Sequence, residues 1–263
     1  MHPAAIARST IVPLLAAPSL RAEQVSQLVL GETAAVLERE GDWRRIRSAV
    51  DGYEGWTHVG YLYEAADDEA ARWRSEGSGW SLGAVIDLGG LRVRIPLRAR
   101  VAVADGRIRL PDGREGRLMD GAIPTGASAA EAAQATPPER WALENFLGAP
   151  YEWGGVTPWG VDCSGLVQTT FAARGVPLPR DSSQQVACGI EVSSGTPVRS
   201  GDLLFFRGET TSSITHVAFA SGEDGLVHSA VSVGGVVAEP WSPGTRAAPL
   251  RDRLVAVRRM EQR

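Results

Sequence analysis

The sequence predicts a multidomain protein in which two small all-β units precede an α+β domain. At 263 residues the chain exceeds the length of about 100–200 residues that is usual for one domain. Residues 10–123 contain short apolar runs separated by Gly, Asp and Pro, which is the pattern of antiparallel β units. Beyond them, helical segments come first and strand segments follow, as expected of an α+β domain.

Residues 1–76 are predicted to form the first β unit together with a closing helix. The apolar runs that we interpret as its strands are Ile11-Val12, Leu28-Val29-Leu30, Ala35-Val36-Leu37 and Trp43 to Ile46. Between Tyr63 and Glu76 the composition shifts to Ala, Glu and Arg, without Gly or Pro, which predicts the helix.

Residues 77–125 are predicted to form the second β unit. Apolar and charged residues alternate there with the period of a half-buried strand. The pattern Asp-Gly-x-Glu-Gly occurs at residues 51–55 and again at 112–116. We therefore interpret the two units as a degenerate repeat.

Residues 126–138 are rich in Ala, Ser, Thr and Pro and are predicted to be a linker. A helix is expected to begin near Glu139 and to open the third domain, residues 139–263. Strands are predicted later in this domain, around His216 and His228.

The charge and composition exclude several classes of protein. The 31 acidic and 27 basic residues give a net charge of −4, and no run of Lys or Arg forms a phosphate-binding stripe, so nucleic acid is not an expected partner. No apolar run is long enough to span a membrane. The apolar stretch from Ile11 to Ala17 is short and is interrupted by Pro13, so we expect no signal peptide and a cytoplasmic, monomeric protein.

Cys163 is the candidate nucleophile. It lies where a glycine-rich loop, residues 154–160, leads into a predicted helix. A helix N-terminus favours a thiolate and offers free N–H groups to an oxyanion. The alternative is a small buried cysteine packed at a helix start, but the surrounding motif favours the nucleophile. Cys188, at an apolar helix end without a neighbouring base, is predicted to be a packed thiol.

Two of the four histidines are candidates for the base that such a thiol needs. His2 and His58 are interpreted as ordinary surface or turn residues. His216 and His228 lie on two predicted strands, and antiparallel pairing would place them side by side. A catalytic zinc site made of Cys163, His216 and His228 is an alternative, although the ligand spacing argues against it. We expect no metal and no cofactor.

The motifs together resemble a known family. Asp162-Cys163-Ser164-Gly165, followed by His216-Val217 on a strand and then His228, resembles the NlpC-type, papain-like cysteine peptidases of bacterial peptidoglycan, over about residues 139–260. Residues 22–32 resemble the first of two tandem bacterial Src-homology-3-like (SH3-like) barrels. The resemblance implies two SH3-like barrels followed by an α+β papain-like domain, with Cys163 as nucleophile, His216 as base and His228 orienting it.

The resemblance also implies substrate-binding residues. Tyr151 would donate its phenol to the oxyanion. The residues that would line the substrate groove are Asp162, Ser164, Arg180, Asp181 and Ser182. The Arg180 guanidinium suits the free α-carboxylate of a γ-linked D-glutamate. The alternative for Asp181 or Ser182 is a helix N-cap.

With its N-terminal SH3-like pair, the chain resembles the γ-D-glutamyl-L-diamino acid endopeptidases, which act on muropeptides with a free N-terminal L-Ala. In these enzymes the first barrel closes the groove, and Glu23 and Tyr53 are the candidates for selecting the ammonium group. The alternatives are a surface acid and a barrel-core aromatic. The expected role is cytoplasmic recycling of muropeptides.

A papain-type site implies a Cys163–His216 ion pair at neutral pH, since such pairs lower the thiol pKa to about 3–4. Two other functions stay open on this scaffold. One is a non-catalytic peptidoglycan-binding protein, and the other is an amidase or acyltransferase, because a triad alone does not determine the bond.

Overall fold

The computed structural model describes residues 3–222 and 224–260. The chain divides into two compact units, Met1–Ala129 and Ala130–Arg263. His2 lies outside the described residues.

The first barrel is a seven-stranded antiparallel sheet in the order β3-β2-β6-β5-β4-β1-β7. Its strands are β1 (Pro3–Ala7), β2 (Ile11–Leu15), β3 (Gln24–Val29), β4 (Thr33–Glu40), β5 (Trp43–Ser48), β6 (Glu54–His58) and β7 (Leu62–Ala66). Side chains such as Leu14, Leu28 and Ile46 form its buried core. The predicted closing helix is present as α1 (Asp67–Glu76), and it begins only at Asp67 because the preceding residues pair with β1.

The second barrel corresponds to the second β unit predicted from the sequence. It is a closed four-stranded barrel in the order β10-β11-β8-β9. Its strands are β8 (Gly79–Leu88), β9 (Leu91–Ala104), β10 (Arg107–Arg109) and β11 (Glu115–Asp120). Apolar side chains including Ile86, Ile95, Val101 and Ile108 are buried within it.

The repeated pattern Asp-Gly-x-Glu-Gly has the same structural role in both barrels. Its first glycine, Gly52 or Gly113, has a positive φ of 74° or 83°, which other residues adopt at a cost. Its second glycine lies where a neighbouring strand approaches closely. A Cβ at Gly55 would lie 2.9 Å from the Leu14 Cβ, and one at Gly116 would lie 2.4 Å from the Asp87 carbonyl oxygen. The repeat therefore encodes a turn followed by a tightly packed strand.

A buried ion pair joins the two barrels within the first unit. The Arg98 Nε lies 2.5 Å from the Glu32 Oε1, and their side chains are 2% and 3% exposed. The backbone N–H of Arg100 donates to the Leu30 carbonyl (2.8 Å), and the Trp73 indole donates to the Gly31 carbonyl (2.8 Å). Strand β9 is thereby fixed to the turn that follows β3.

The segment predicted to be a linker, residues 126–138, contains a helix, α2 (Gly126–Gln134), and the two compact units divide within it, after Ala129. This segment contains five alanines among nine residues (GASAAEAAQ), and Ala has the strongest intrinsic helix propensity. The Thr125 hydroxyl accepts from the Ser128 N–H (3.2 Å) at its start. The next helix, α3 (Pro138–Phe146), begins within one residue of its predicted position.

The second compact unit, Ala130–Arg263, contains a six-stranded antiparallel sheet and the helix that carries Cys163. Its further elements are β12 (Val156–Thr157), β13 (Gly160–Val161), α4 (Cys163–Ala173), α5 (Ser182–Gln185), β14 (Ile190–Glu191), β15 (Leu203–Arg207), β16 (Ile214–Ala220), β17 (Gly225–Ala230), β18 (Gly235–Pro240) and β19 (Leu254–Arg259). The sheet order is β14-β19-β15-β16-β17-β18. Helix α4 is buried along almost its whole length and packs on β16 and β17, with Phe171 against Phe219.

No helix within the described residues is both long enough and apolar enough to cross a membrane. Both cysteines are free thiols.

Candidate active site

Asp162 caps the helix that carries the nucleophile. Its Oδ1 accepts from the Gly165 N–H (2.7 Å) and its Oδ2 accepts from the Gly154 N–H (2.8 Å). A side chain at Gly165 would meet the Gly155 carbonyl oxygen, only 2.1 Å from the position of its Cβ. The glycine-rich loop therefore packs directly on the first turn of α4 and places Cys163 at the first helical position, as the sequence predicts.

Arg180 forms a buried ion pair with the Asp162 carboxylate. Its two terminal nitrogens lie 3.0 and 2.5 Å from the two carboxylate oxygens, and one of them also lies 2.8 Å from the Ser164 hydroxyl. The guanidinium is 1% exposed. The buried, paired guanidinium fits a role for Arg180 in positioning Asp162. Its role in binding the substrate carboxylate and the groove roles of Asp162 and Ser164 stay predictions.

The Cys163 thiol is buried, with 7% of the residue exposed. Burial raises its pKa to about 12, and the Asp162 carboxylate acts in the same direction. The backbone N–H groups of Val217 and Ser164 donate to the sulfur and oppose this rise, as does the Arg180 charge. Burial therefore favours the neutral thiol over the thiolate.

His216 lies next to Val217 on β16, and His228 lies on the adjacent antiparallel strand β17. The His216 Nε2 and the His228 Nδ1 are 2.8 Å apart, and the rings meet edge to face at 70°. Burial, followed by the neighbouring His228, lowers the pKa of His216 to about 3. Both shifts favour the neutral forms of the thiol and the imidazole, and the expected resting ion pair stays a prediction.

Glu239 forms a hydrogen bond with His228, the second histidine of the pair, and the sequence alone did not identify it as a site residue. Its Oε1 lies 2.8 Å from the His228 Nε2, and its Oε2 forms an ion pair with Arg246. The register pairs His228 with Val237, so Glu239 is the diagonal neighbour of His228 across β17 and β18. The available signal was an acid inside the apolar run Val236-Val237-Ala238-Glu239, directly after the His228 strand.

Tyr151 is half-buried close to the nucleophile. Its backbone N–H donates to the Gly234 carbonyl (2.9 Å), and its backbone bridges to Val161. Burial raises the pKa of the phenol, and the charges of Cys163 and Asp162 raise it further. The phenol is therefore a hydrogen-bond donor at neutral pH, while its role at the oxyanion stays a prediction.

Asp181 and Ser182 lie at the start of α5, where Asp181 is the N-cap residue. Helix α5 is tied to the nucleophile helix, because the Gln185 amide donates to the Ser164 carbonyl (3.0 Å). The Asp181 side chain makes no cap hydrogen bond there, and the groove roles of both residues stay predictions.

Glu23 and Tyr53 belong to the first unit. Glu23 is exposed directly before β3, and Tyr53 is half-buried in the turn before β6, with its N–H donating to the Asp51 side chain (3.0 Å). Their roles in selecting an ammonium group stay predictions.

Among the described residues, no group of three or more His, Cys, Asp or Glu side chains could hold a metal ion. The zinc alternative for Cys163, His216 and His228 therefore has no geometric support. Cys188 is a half-buried free thiol near the end of a helical turn, where its sulfur contacts the Gln184 carbonyl oxygen.

Comparisons with known proteins find relatives of both parts of the chain. The model of the NlpC/P60 family matches residues 148–254, and that of the bacterial dipeptidyl-peptidase SH3 domain matches residues 14–66. The γ-D-glutamyl-L-lysine dipeptidyl-peptidase of Bacillus cereus is 28% identical over 78% of this chain and 66% of its own length. The enzyme of the same name from Bacillus subtilis is 41% identical over 32% of this chain and 28% of its own length. A crystal structure of an NlpC/P60 family protein from Bacillus cereus has the same fold, with a TM-score of 0.78, 22% identity and coverage of 97% of this chain and 99% of the other.

Proposed function

We propose that this chain, whose residues 148–254 match the NlpC/P60 family and residues 14–66 a bacterial dipeptidyl-peptidase SH3 domain, is a cysteine peptidase acting on muropeptides that carry a free N-terminal L-Ala. The bond that it cleaves lies between the γ-carboxyl of D-glutamate and an L-diamino acid. The site that performs the reaction is Cys163 with His216 and His228.

One observation carries the proposal. Helix α4, which begins at Cys163, packs on strand β16, which carries His216. A nucleophile and a base are thus held on two packed elements, and His228 holds the far nitrogen of the base. This is the arrangement that nucleophilic acyl transfer requires.

The mechanism starts from neutral groups. As the sulfur attacks the carbonyl carbon, its proton passes to the free nitrogen of His216. The oxyanion is stabilised by the Cys163 backbone N–H and the Tyr151 phenol. The C–N bond then breaks and His216 returns the proton to the leaving amine. Water, deprotonated by His216, releases the acid from the thioester and restores the thiol.

The substrate class is supported by the relatives. Both are named as γ-D-glutamyl-L-lysine dipeptidyl-peptidases, and the N-terminal SH3 match is to a dipeptidyl-peptidase domain. Whether the diamino acid is L-lysine or diaminopimelate is a question for experiment. The monomeric state and the role in cytoplasmic recycling stay predictions.

The test uses the purified full chain with L-Ala-γ-D-Glu-L-Lys and, separately, with the meso-diaminopimelate analogue. We expect the wild type to release L-Ala-γ-D-Glu from at least one peptide, as followed by mass spectrometry. Cys163→Ala should release none, because the thiol supplies the acyl-enzyme. Cys188→Ala is the matched control and should keep full activity.

A second substrate tests the free amine. The same peptide with an acetylated L-Ala should be cleaved at least tenfold more slowly, about 1.4 kcal/mol of lost recognition. Equal cleavage by Cys163→Ala, or cleavage at another bond, would overturn the proposed function. Binding without cleavage would favour the peptidoglycan-binding alternative.

A further inference from the structure

A line of polar groups extends from His216 away from the nucleophile. It runs from the His216 Nε2 to the His228 Nδ1 (2.8 Å), and from the His228 Nε2 to the Glu239 Oε1 (2.8 Å). Arg246 binds the other carboxylate oxygen and also donates to the Ser232 hydroxyl (3.0 Å). The side chains of His228 and Glu239 are 3% and 13% exposed, so water does not compete strongly for these bonds.

The hydrogen bonds determine which ring nitrogens carry protons. An ionised carboxylate only accepts, so the His228 Nε2 must carry a proton. In neutral His228 the Nδ1 is then an acceptor, and the proton shared with His216 must lie on the His216 Nε2. The His216 Nδ1 is therefore bare, and it is the one nitrogen of that ring left to accept the proton of Cys163.

We propose that Glu239 is a positioning residue that fixes the tautomers of both imidazoles and thereby leaves the His216 Nδ1 free to act as the base. This inference rests on the proposed cysteine-peptidase function. It adds a fourth residue to the site, one that acts through its hydrogen bond to His228. Arg246 has a different role: it binds one oxygen of the Glu239 carboxylate, and the other oxygen faces His228.

The Arg246 contact makes the effect of Glu239→Gln specific. Arg246 can only donate, so it attracts the amide oxygen of the new side chain and turns the amide NH₂ toward His228. The His228 Nε2 must then accept, its Nδ1 carries the proton, and the His216 Nε2 becomes the acceptor. The remaining proton of His216 moves to Nδ1, where it blocks the base.

The first experiment measures the tautomers directly. Nitrogen-15 NMR of histidine-labelled protein should show both His216 and His228 protonated at Nε2 in the wild type. In Glu239→Gln both should shift to the Nδ1-protonated pattern. Wild-type spectra with either ring protonated at Nδ1, or a Glu239→Gln spectrum unchanged from wild type, would overturn the inference.

The second experiment measures kinetics. Glu239→Gln should lower kcat about 10- to 100-fold, the usual effect of losing a group that orients a functional histidine, with KM unchanged. Glu191→Gln is the matched control: it is the same substitution on β14, at the opposite edge of the same sheet, and it should leave kcat unchanged.

The double variant Glu239→Gln with Arg246→Met separates positioning from a merely structural role. Without Arg246 the amide can present its oxygen to His228 again, so kcat should rise severalfold above that of Glu239→Gln alone. A merely structural role predicts that the second substitution lowers kcat further. The NMR measurement needs no peptide, so it tests the inference even if the proposed substrate is wrong.

Discussion

Each compact unit contains a buried arginine–carboxylate ion pair. The two pairs have the same chemistry, but they stabilise different parts of the structure. Arg98 and Glu32 are separated by 66 residues in the chain and join the two β barrels. Arg180 and Asp162 are separated by 18 residues and hold the first turn of the helix that carries Cys163. All four side chains are at most 7% exposed.

The difference lies in the second bond that each carboxylate makes. The Glu32 Oε2 accepts from the Val29 N–H (2.9 Å), which fixes a turn between two barrels. The Asp162 carboxylate accepts from loop and helix N–H groups on either side of the nucleophile. Removing one partner of a buried pair costs about 3–5 kcal/mol in either place. Only the second pair should also change the chemistry.

The largest effect is expected for Asp162→Ala. This change leaves the Arg180 charge buried without its carboxylate and removes the helix cap, so the free energy of unfolding should fall by about 3–5 kcal/mol for the lost pair. Peptide cleavage should fall below detection, because the first turn of α4 is no longer held. Urea denaturation and product analysis measure the two effects.

The double variant Asp162→Ala with Arg180→Met sharpens this result. It removes the unpaired charge, so part of the lost stability should return, while cleavage stays absent because the cap is still missing. Recovery of cleavage together with stability would show that Asp162 serves the fold alone.

A smaller effect, on stability only, is expected for Arg98→Met. The Glu32 carboxylate then stays buried without its partner, and the free energy of unfolding of the first unit should fall by about 3–5 kcal/mol. Under native conditions the alkylation rate of Cys163, which lies in the second unit, should match that of the wild type. Arg45→Met, which breaks exposed ion pairs to Glu38 and Glu54, is the control and should change stability by less than about 1 kcal/mol. A changed alkylation rate in Arg98→Met would show that the Arg98–Glu32 pair also affects the nucleophile, contrary to the prediction.

The sequence predicts the local features of this molecule well. The Asp-Gly-x-Glu-Gly repeat encodes a turn and a close strand contact through residues that are adjacent in the chain, so both barrels could be expected from it. The helix-start position of Cys163 follows from the glycine-rich loop before it. The sequence did not reveal that the linker segment contains helix α2, because Ala and Ser are common in helices and in linkers alike.

The features that the sequence misses depend on contacts between distant segments. Arg180 is suited to a substrate carboxylate by charge, yet the fold buries it against Asp162. Glu239 reaches His228 only through the register of β17 and β18. The protonation states of Cys163 and His216 follow from burial, which a motif does not report.

The smallest effect concerns pH, and it tests what the Arg180–Asp162 pair does to the nucleophile. Burial, with Asp162 next, raises the pKa of Cys163 to about 12, so the thiolate fraction should rise about tenfold for each pH unit below that value. In the Cys188→Ala background, alkylation of Cys163 by iodoacetamide should therefore climb steadily from about pH 6 to pH 9 without a plateau. Since burial lowers the pKa of His216 to about 3, titration of this imidazole should add no step to the profile in that range. Arg180→Met should lower the rate at every pH, because the Arg180 charge opposes the rise in the thiol pKa. A plateau with a midpoint below about pH 6 would instead reveal a resting thiolate–imidazolium pair, and it would mean that the histidine outweighs burial at this cysteine.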